Sequence, residues 1–140
     1  MMKSVLLSCF MFSMLLGSMY DRQDHIVTDN VTKLMWQDEP DNAIITRTWK
    51  EAEVYCRKLR LGKYEDWRLP SSDEFVSLID ESRYPHIDPI FRYKVMDIYW
   101  TATPYVHEKD AVWVVFFQYG SRGYQNKNKQ FHLRCVRNAD

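Results

Sequence analysis

The sequence predicts an α+β domain over residues 20–140, with an antiparallel sheet, two helices and long loops. Three observations carry that reading. Two helix starts, at Thr48 and Ser71, are each followed three residues later by a glutamate. Strand-like apolar runs dominate after residue 98. Two cysteines, Cys56 and Cys135, fall on stripes expected to face inward. Helices early and strands late point to a layered α+β arrangement, and 140 residues suit one domain and hardly two.

The first 19 residues are set apart. Met1, Met2 and Lys3 precede Ser4 to Met19, a stretch with no charged side chain. A basic start and an apolar middle read as a secretory signal peptide, cut near residues 17 to 20. The run falls short of the ~20 apolar residues that cross a bilayer, which ranks a cleaved signal above an uncleaved anchor or a buried cytosolic segment. Leu6-Leu7-Ser8-Cys9 resembles a lipid-attachment box, but Phe10 to Leu16 continues the apolar run past the cysteine.

In the remaining chain, His25–Thr28 and Leu34–Trp36 flank a turn-rich Asp29–Lys33 and predict a hairpin. Residues 37–46 contain Asp38, Pro40, Asp41 and Asn42, a loop composition. Thr48 and Glu51 form a capping box, and Trp49, Ala52, Cys56 and Leu59 share a stripe, so a helix is expected over about 49–60, ending before Gly62. After the 62–70 connector, Ser71 and Glu74 repeat the box, with Phe75, Leu78 and Ile79 as the apolar side of the second helix. Residues 82–93 read as a long loop and 99–103 as a strand stopped by Pro104. Residues 111–118 are the most apolar run, as suits a central strand that would bury Trp113. Gly120 and Gly123 flank a turn, 126–129 is a polar tip, and 131–136 is the last strand, with Phe131, Leu133 and Cys135 on one face.

Charge and composition exclude several functions. Lys3 leaves with the signal, so 18 Lys plus Arg face 19 Asp plus Glu, a balance without the basic field that grips nucleic acid. Aromatic residues make up 15% of the chain, enough to fill a core and also to furnish a binding surface. An exported chain with Cys56 and Cys135 is expected to form one disulfide, worth roughly 3 to 5 kcal/mol for a loop of ~80 residues; in the cytosol the same pair would be two reduced core thiols. Neither a CxxC pair nor a Cys/His cluster occurs, and His25, His86, His107 and His132 sit in separate segments. No cofactor, metal site or enzyme activity is therefore expected.

Asp29-Asn30-x-Thr32-x-Leu34-Met35-Trp36-Gln37, Thr48-Trp49-x-x-Ala52 with Tyr55-Cys56 and Leu59, Asp66-Trp67-Arg68-Leu69-Pro70, Tyr99-Trp100-Thr101-Ala102-Thr103-Pro104 and Arg134-Cys135-Val136-Arg137 occur in that order. As an ordered set they resemble the Lcl C-terminal domain family, from about residue 26 to 137. The resemblance implies a C-type-lectin-like fold, with a twisted antiparallel core, flanking helices and a loop-rich upper region, and more distant kinship with formylglycine-generating enzymes. It also implies a disulfide from the first helix to the last strand, the positions of Cys56 and Cys135. Lys33 departs from the family's usual glycine, a change expected to be harmless where that residue keeps negative φ.

Calcium-dependent sugar lectins use Glu-Pro-Asn or Gln-Pro-Asp with a later Trp-Asn-Asp. Here Glu39-Pro40-Asp41-Asn42 lies in an early loop and the later element is missing, so calcium-dependent sugar binding is not expected. The candidate ligand-binding residues are Arg68, Trp100, Tyr119, Arg122, Tyr124, Gln125, Asn126 and Lys127. Each has a bland counterpart: Arg68 bonding loop carbonyls or Asp66, Trp100 in the core, and residues 119–130 as a solvated hairpin. The expected function is a noncatalytic binding module for an envelope protein, matrix component or glycan, in the periplasm or secreted, with no membrane span after processing. The alternatives are a periplasmic structural or assembly accessory and, further off, an enzyme related to formylglycine-generating enzymes. Attachment to the membrane follows if the signal stays uncleaved.

Overall fold

The computed structural model of the protein describes residues 19–140, so the expected signal peptide and Cys9 lie outside the described residues. Among these residues no helix is long and apolar enough to cross a membrane. The fold is α+β with two antiparallel sheets rather than the single sheet expected.

The first sheet has the order β1-β2-β3-β7, built from β1 (Tyr20–Gln23), β2 (Ile26–Asp29), β3 (Leu34–Gln37) and β7 (Val136–Asn138). The 2–3 hairpin was legible, but β1 was not. At the hairpin turn the Asp29 carboxylate accepts from the N–H groups of Val31 and Thr32 at 2.8 and 3.1 Å, closing an Asx-type turn. Lys33 then takes φ +59°, so the condition under which its exchange for glycine would be harmless is not met. The turn keeps the left-handed geometry that suits glycine although a lysine occupies it.

Residues 37–46 are ordered by buried polar groups and include the short helix α1 (Asp41–Ile44). The Gln37 side chain accepts from the Asn42 amide at 2.9 Å and from the Cys135 N–H at 3.1 Å. Helix α2 (Trp49–Lys58) carries the expected capping box and buries Ala52 and Cys56. Helix α3 (Ser72–Val76) has its own box but ends earlier than its apolar pattern suggests. Leu78 and Ile79 follow in tighter turns, bonded to the carbonyls of Phe75 and Val76, so Leu78 still reaches the core.

The second sheet has the order β4-β5-β6, with β4 (Ile98–Pro104), β5 (Ala111–Phe116) and β6 (Ser121–Asn126). The expected turn at 120–123 is displaced: Gly123 lies inside β6, opposite Val114. The last strand also shifts. Residues 131–135 are extended but bridge singly, Phe131 to Arg47 and His132 to Tyr99, and regular pairing starts only at Val136. Phe131, Leu133 and Cys135 nevertheless share one core, as their alternation requires.

Two apolar clusters fill the interior. Trp36, Phe75, Tyr99 and Phe117 centre one; Ala52, Trp67, Trp100, Val114 and Leu133 centre the other. Cys56 and Cys135 are bonded inside the second, Cα atoms 5.5 Å apart and 79 residues apart in sequence.

Between the sheets lies a charged cluster that the motif survey did not single out as a group. Asp38 and Arg134 are fully buried. One Asp38 oxygen accepts from Arg134 Nη1 at 2.8 Å and from the Tyr93 N–H at 3.1 Å. The other accepts from Arg22 and from the Arg92 N–H at 2.8 Å. Burial pushes this carboxyl up, but Arg134, the Arg92 N–H and Arg22 outweigh it and hold it below the usual carboxylate range. Arg134 also donates to the carbonyls of Gln37 and Tyr93, both at 2.6 Å, and lies over the Phe91 ring.

Candidate functional site

Pairing of β5 with β6 sets Trp113 opposite Tyr124 and Val115 opposite Arg122, on one face of the second sheet. Toward α3 that face is covered, with Val115 and Phe117 in the first core cluster. Beyond α3 it is open. There Tyr105, immediately after β4, stacks on Tyr124 with ring centroids 4.0 Å apart and planes 3° from parallel. Trp113 meets Tyr105 edge-on at 5.0 Å, and the Arg122 guanidinium lies 5.0 Å above the Trp113 ring. The result is a continuous row of Tyr124, Tyr105, Trp113 and Arg122, each contact of a kind that holds a ring or cation in place.

The ends of the row are anchored by polar partners. Arg122 Nη1 donates to Ser72 Oγ at 3.2 Å and approaches Asp73 Oδ1 at 3.3 Å. Tyr124 donates its hydroxyl to Glu108 at 3.3 Å, and the Glu108 charge raises the phenol's pKa, so the ring stays neutral. Tyr124 remains 42% exposed and Tyr119, further along, 68%. Trp113 was expected in the core; it is half-buried, its ring against Tyr105 and the Arg122 guanidinium.

The other candidates separate. Trp100 is fully buried and donates its indole N–H to the Arg47 carbonyl at 2.8 Å, so of its two expected roles it takes the core one. Arg68 makes a two-bond pair with Glu74 at 2.7 and 2.8 Å and reaches Asn138 at 3.0 Å. Its expected partner Asp66 is taken by Arg137, at 2.6 Å. Arg68 thus ties the 62–70 connector to α3 and β7, and the pair holds the Glu74 carboxyl below its usual range. Lys127 extends over the Trp49 ring at 4.5 Å, joining the β6 end to α2. Gln125 is half-buried, and the Asn126 side chain accepts from the Asn128 N–H at 2.9 Å, serving the tip that the polar composition predicted.

Sequence reasoning found Arg122 and Tyr124 but missed Tyr105 and Glu108, which lie about 16–19 residues upstream and join them only through the sheet. Each histidine packs against a tyrosine: His25 with Tyr93, His86 with Tyr84, His107 with Tyr105 and His132 with Tyr99. Among the described residues no group of three or more His, Cys, Asp or Glu is placed to hold a metal ion. What the open row can do chemically is adsorb: it offers ring faces, a fixed cation and an acceptor.

Residues 25–137 match the family described as the Lcl C-terminal domain. No curated protein matches the sequence.

Proposed function

Because the chain belongs to the Lcl C-terminal domain family, we propose that it is a noncatalytic binding module that holds an envelope protein, matrix component or glycan through the open aromatic row of its second sheet. The observation that carries this reading is the Tyr105–Tyr124 stack, in which Tyr124 is exposed and Tyr105 half-buried, continuous with Trp113 and Arg122. The Tyr124 ring, stacked at the surface rather than turned inward, keeps part of its apolar area wet in the free protein. Covering it releases that water, and the neighbouring guanidinium supplies orientation.

The module is placed outside the cytoplasm in this reading, in the periplasm or secreted. Support comes from the buried Cys56–Cys135 bond, which is the kind of crosslink that persists in oxidising compartments, and from the apolar character of the first 19 residues. Kinship with C-type-lectin-like folds is part of the proposal. The bond from α2 to the residue just before β7 supports it.

The test is capture. The purified chain is screened against an immobilised glycan panel and against envelope and matrix extracts, beside Tyr124→Ala and Tyr105→Ala. Loss of at least about tenfold in affinity for a captured partner, with an unchanged melting temperature, is expected for residues at the centre of a contact. Binding that survives both changes but is lost on altering α2 or α3 would transfer the role to an assembly accessory. Turnover of any substrate would overturn the noncatalytic reading.

A further inference from the structure

The first sheet carries a separate feature, on a different part of the fold from the aromatic row. The β1–β2 turn, the 61–64 turn and the 92–93 segment enclose a cleft of about 810 Å³, within the ~300–1,000 Å³ typical of ligand sites. Its floor is apolar, from Ile26, Met35 and Leu61, and Tyr64 and Tyr93 form the sides. Arg92 and Lys63 both line it, one from the 92–93 segment and the other from the 61–64 turn.

The charges there do not cancel. Arg22 also lines the cleft, but its guanidinium is turned onto Asp38, a carboxylate it shares with Arg134. Asp24 is the single carboxylate among the lining residues. Neither the Arg92 guanidinium nor the Lys63 ammonium has an ion-pair or hydrogen-bond partner among the described residues. Two unpaired cations against one carboxylate leave the cleft with a net positive charge over an apolar floor.

The walls are held in place before anything binds. The Arg92 and Tyr93 N–H groups are fixed on the buried Asp38 carboxylate, and the Tyr93 carbonyl accepts from Arg134. On the other wall Gly62 sits at φ +63°, and a Cβ there would come within 2.9 Å of Ile26 Cδ1, so the turn rests directly on the floor. Tyr64 is backed by Arg137, whose guanidinium lies 3.8 Å from the ring centroid. A preformed site loses less ordering entropy on binding.

We propose that this cleft binds the C-terminal end of a peptide, with the terminal carboxylate between Arg92 and Lys63 and an apolar last side chain on Ile26, Met35 and Leu61. The Gln23 amide and Thr28 hydroxyl on the lining supply partners for the peptide's own amides. A carboxylate alone would leave the apolar floor unused, and an apolar body alone would leave the cations unused.

The experiment is a titration of the purified chain, followed by backbone amide NMR, with acetyl-Ala-Leu-Phe as the free acid, the same peptide as its C-terminal amide, and acetate. The free acid is expected to shift the amides of Thr28, Gly62 and Tyr93, and to bind at least about tenfold more tightly than the amide, as loss of charge-assisted bonds implies. The variant Lys63→Gln with Arg92→Gln keeps the Arg92 N–H to Asp38 and should retain its melting temperature while losing the acid preference. Equal binding of acid and amide, no binding of either, acetate binding as tightly as the peptide, or an acid preference that persists in the double variant would each overturn the proposal. None of these results bears on the aromatic row.

Discussion

Replacing Asp38 by Asn tests the physical account of the interior most directly. Asp38 is fully buried and its two oxygens receive four donors, from Arg22, Arg134, and the N–H groups of Arg92 and Tyr93. An amide at this position keeps the shape but turns one acceptor into a donor facing donors. It also leaves the buried Arg134 guanidinium without its counter-charge. Breaking such a pair from one side costs about 3–5 kcal/mol, a large share of the ~5–15 kcal/mol that holds a domain folded. For a domain of this size the melting temperature should fall by on the order of 10–20 °C. Thermal unfolding followed by circular dichroism reads the shift. Hydrogen exchange at the Arg92 and Tyr93 amides should rise with it, because both lose their acceptor. Arg134→Met combined with Asp38→Asn should cost less than the two changes added together, since each alone strands a charge. A single variant that melts within about 3 °C of the parent, or strict additivity in the double variant, would refute the argument.

Lys33→Gly should stabilise the protein by about 0.5–1 kcal/mol, the relief of left-handed backbone at a branched-free residue less the extra freedom glycine has when unfolded; urea unfolding measures it, and a loss of stability would show that Lys33 contributes contacts not captured by its φ of +59°. Cys56→Ala with Cys135→Ala should cost about 4 kcal/mol for a crosslink spanning 79 residues, seen as a lower denaturation midpoint. Acid should weaken the fold. The Asp38 and Glu74 carboxyls are both held below their ordinary values, so the unfolded chain binds more protons. Their contribution is full above about pH 5 and lost as pH falls through their folded values; Glu74→Gln should flatten the acid limb of a melting-temperature profile.

Local signals were legible in the sequence and distant ones were not. The starts of α2 and α3 were readable because a capping box is complete within four residues, and both boxes form. The inward direction of Cys56 and Cys135 followed from helical and strand periodicity, and the two are bonded. Strand β1, Tyr-Asp-Arg-Gln, carries no apolar alternation and exists by pairing with β2. Strand β6, Ser-Arg-Gly-Tyr-Gln-Asn, is a polar edge whose regularity comes from β5. Asp38 lay in a segment of loop composition, and nothing near it announces a partner 96 residues away. The same holds for the candidate row: Arg122 and Tyr124 drew notice by composition, whereas Tyr105 and Trp113 reach them only through strand register.

The segment 131–138 joins the two sheets. It bridges Tyr99 of the second sheet, supplies β7 to the first, carries Cys135, and brings Arg134 to Asp38. The crosslink, one buried ion pair and a link between the sheets therefore all depend on one short stretch. With the crosslink reduced, detaching this stretch should release all three together.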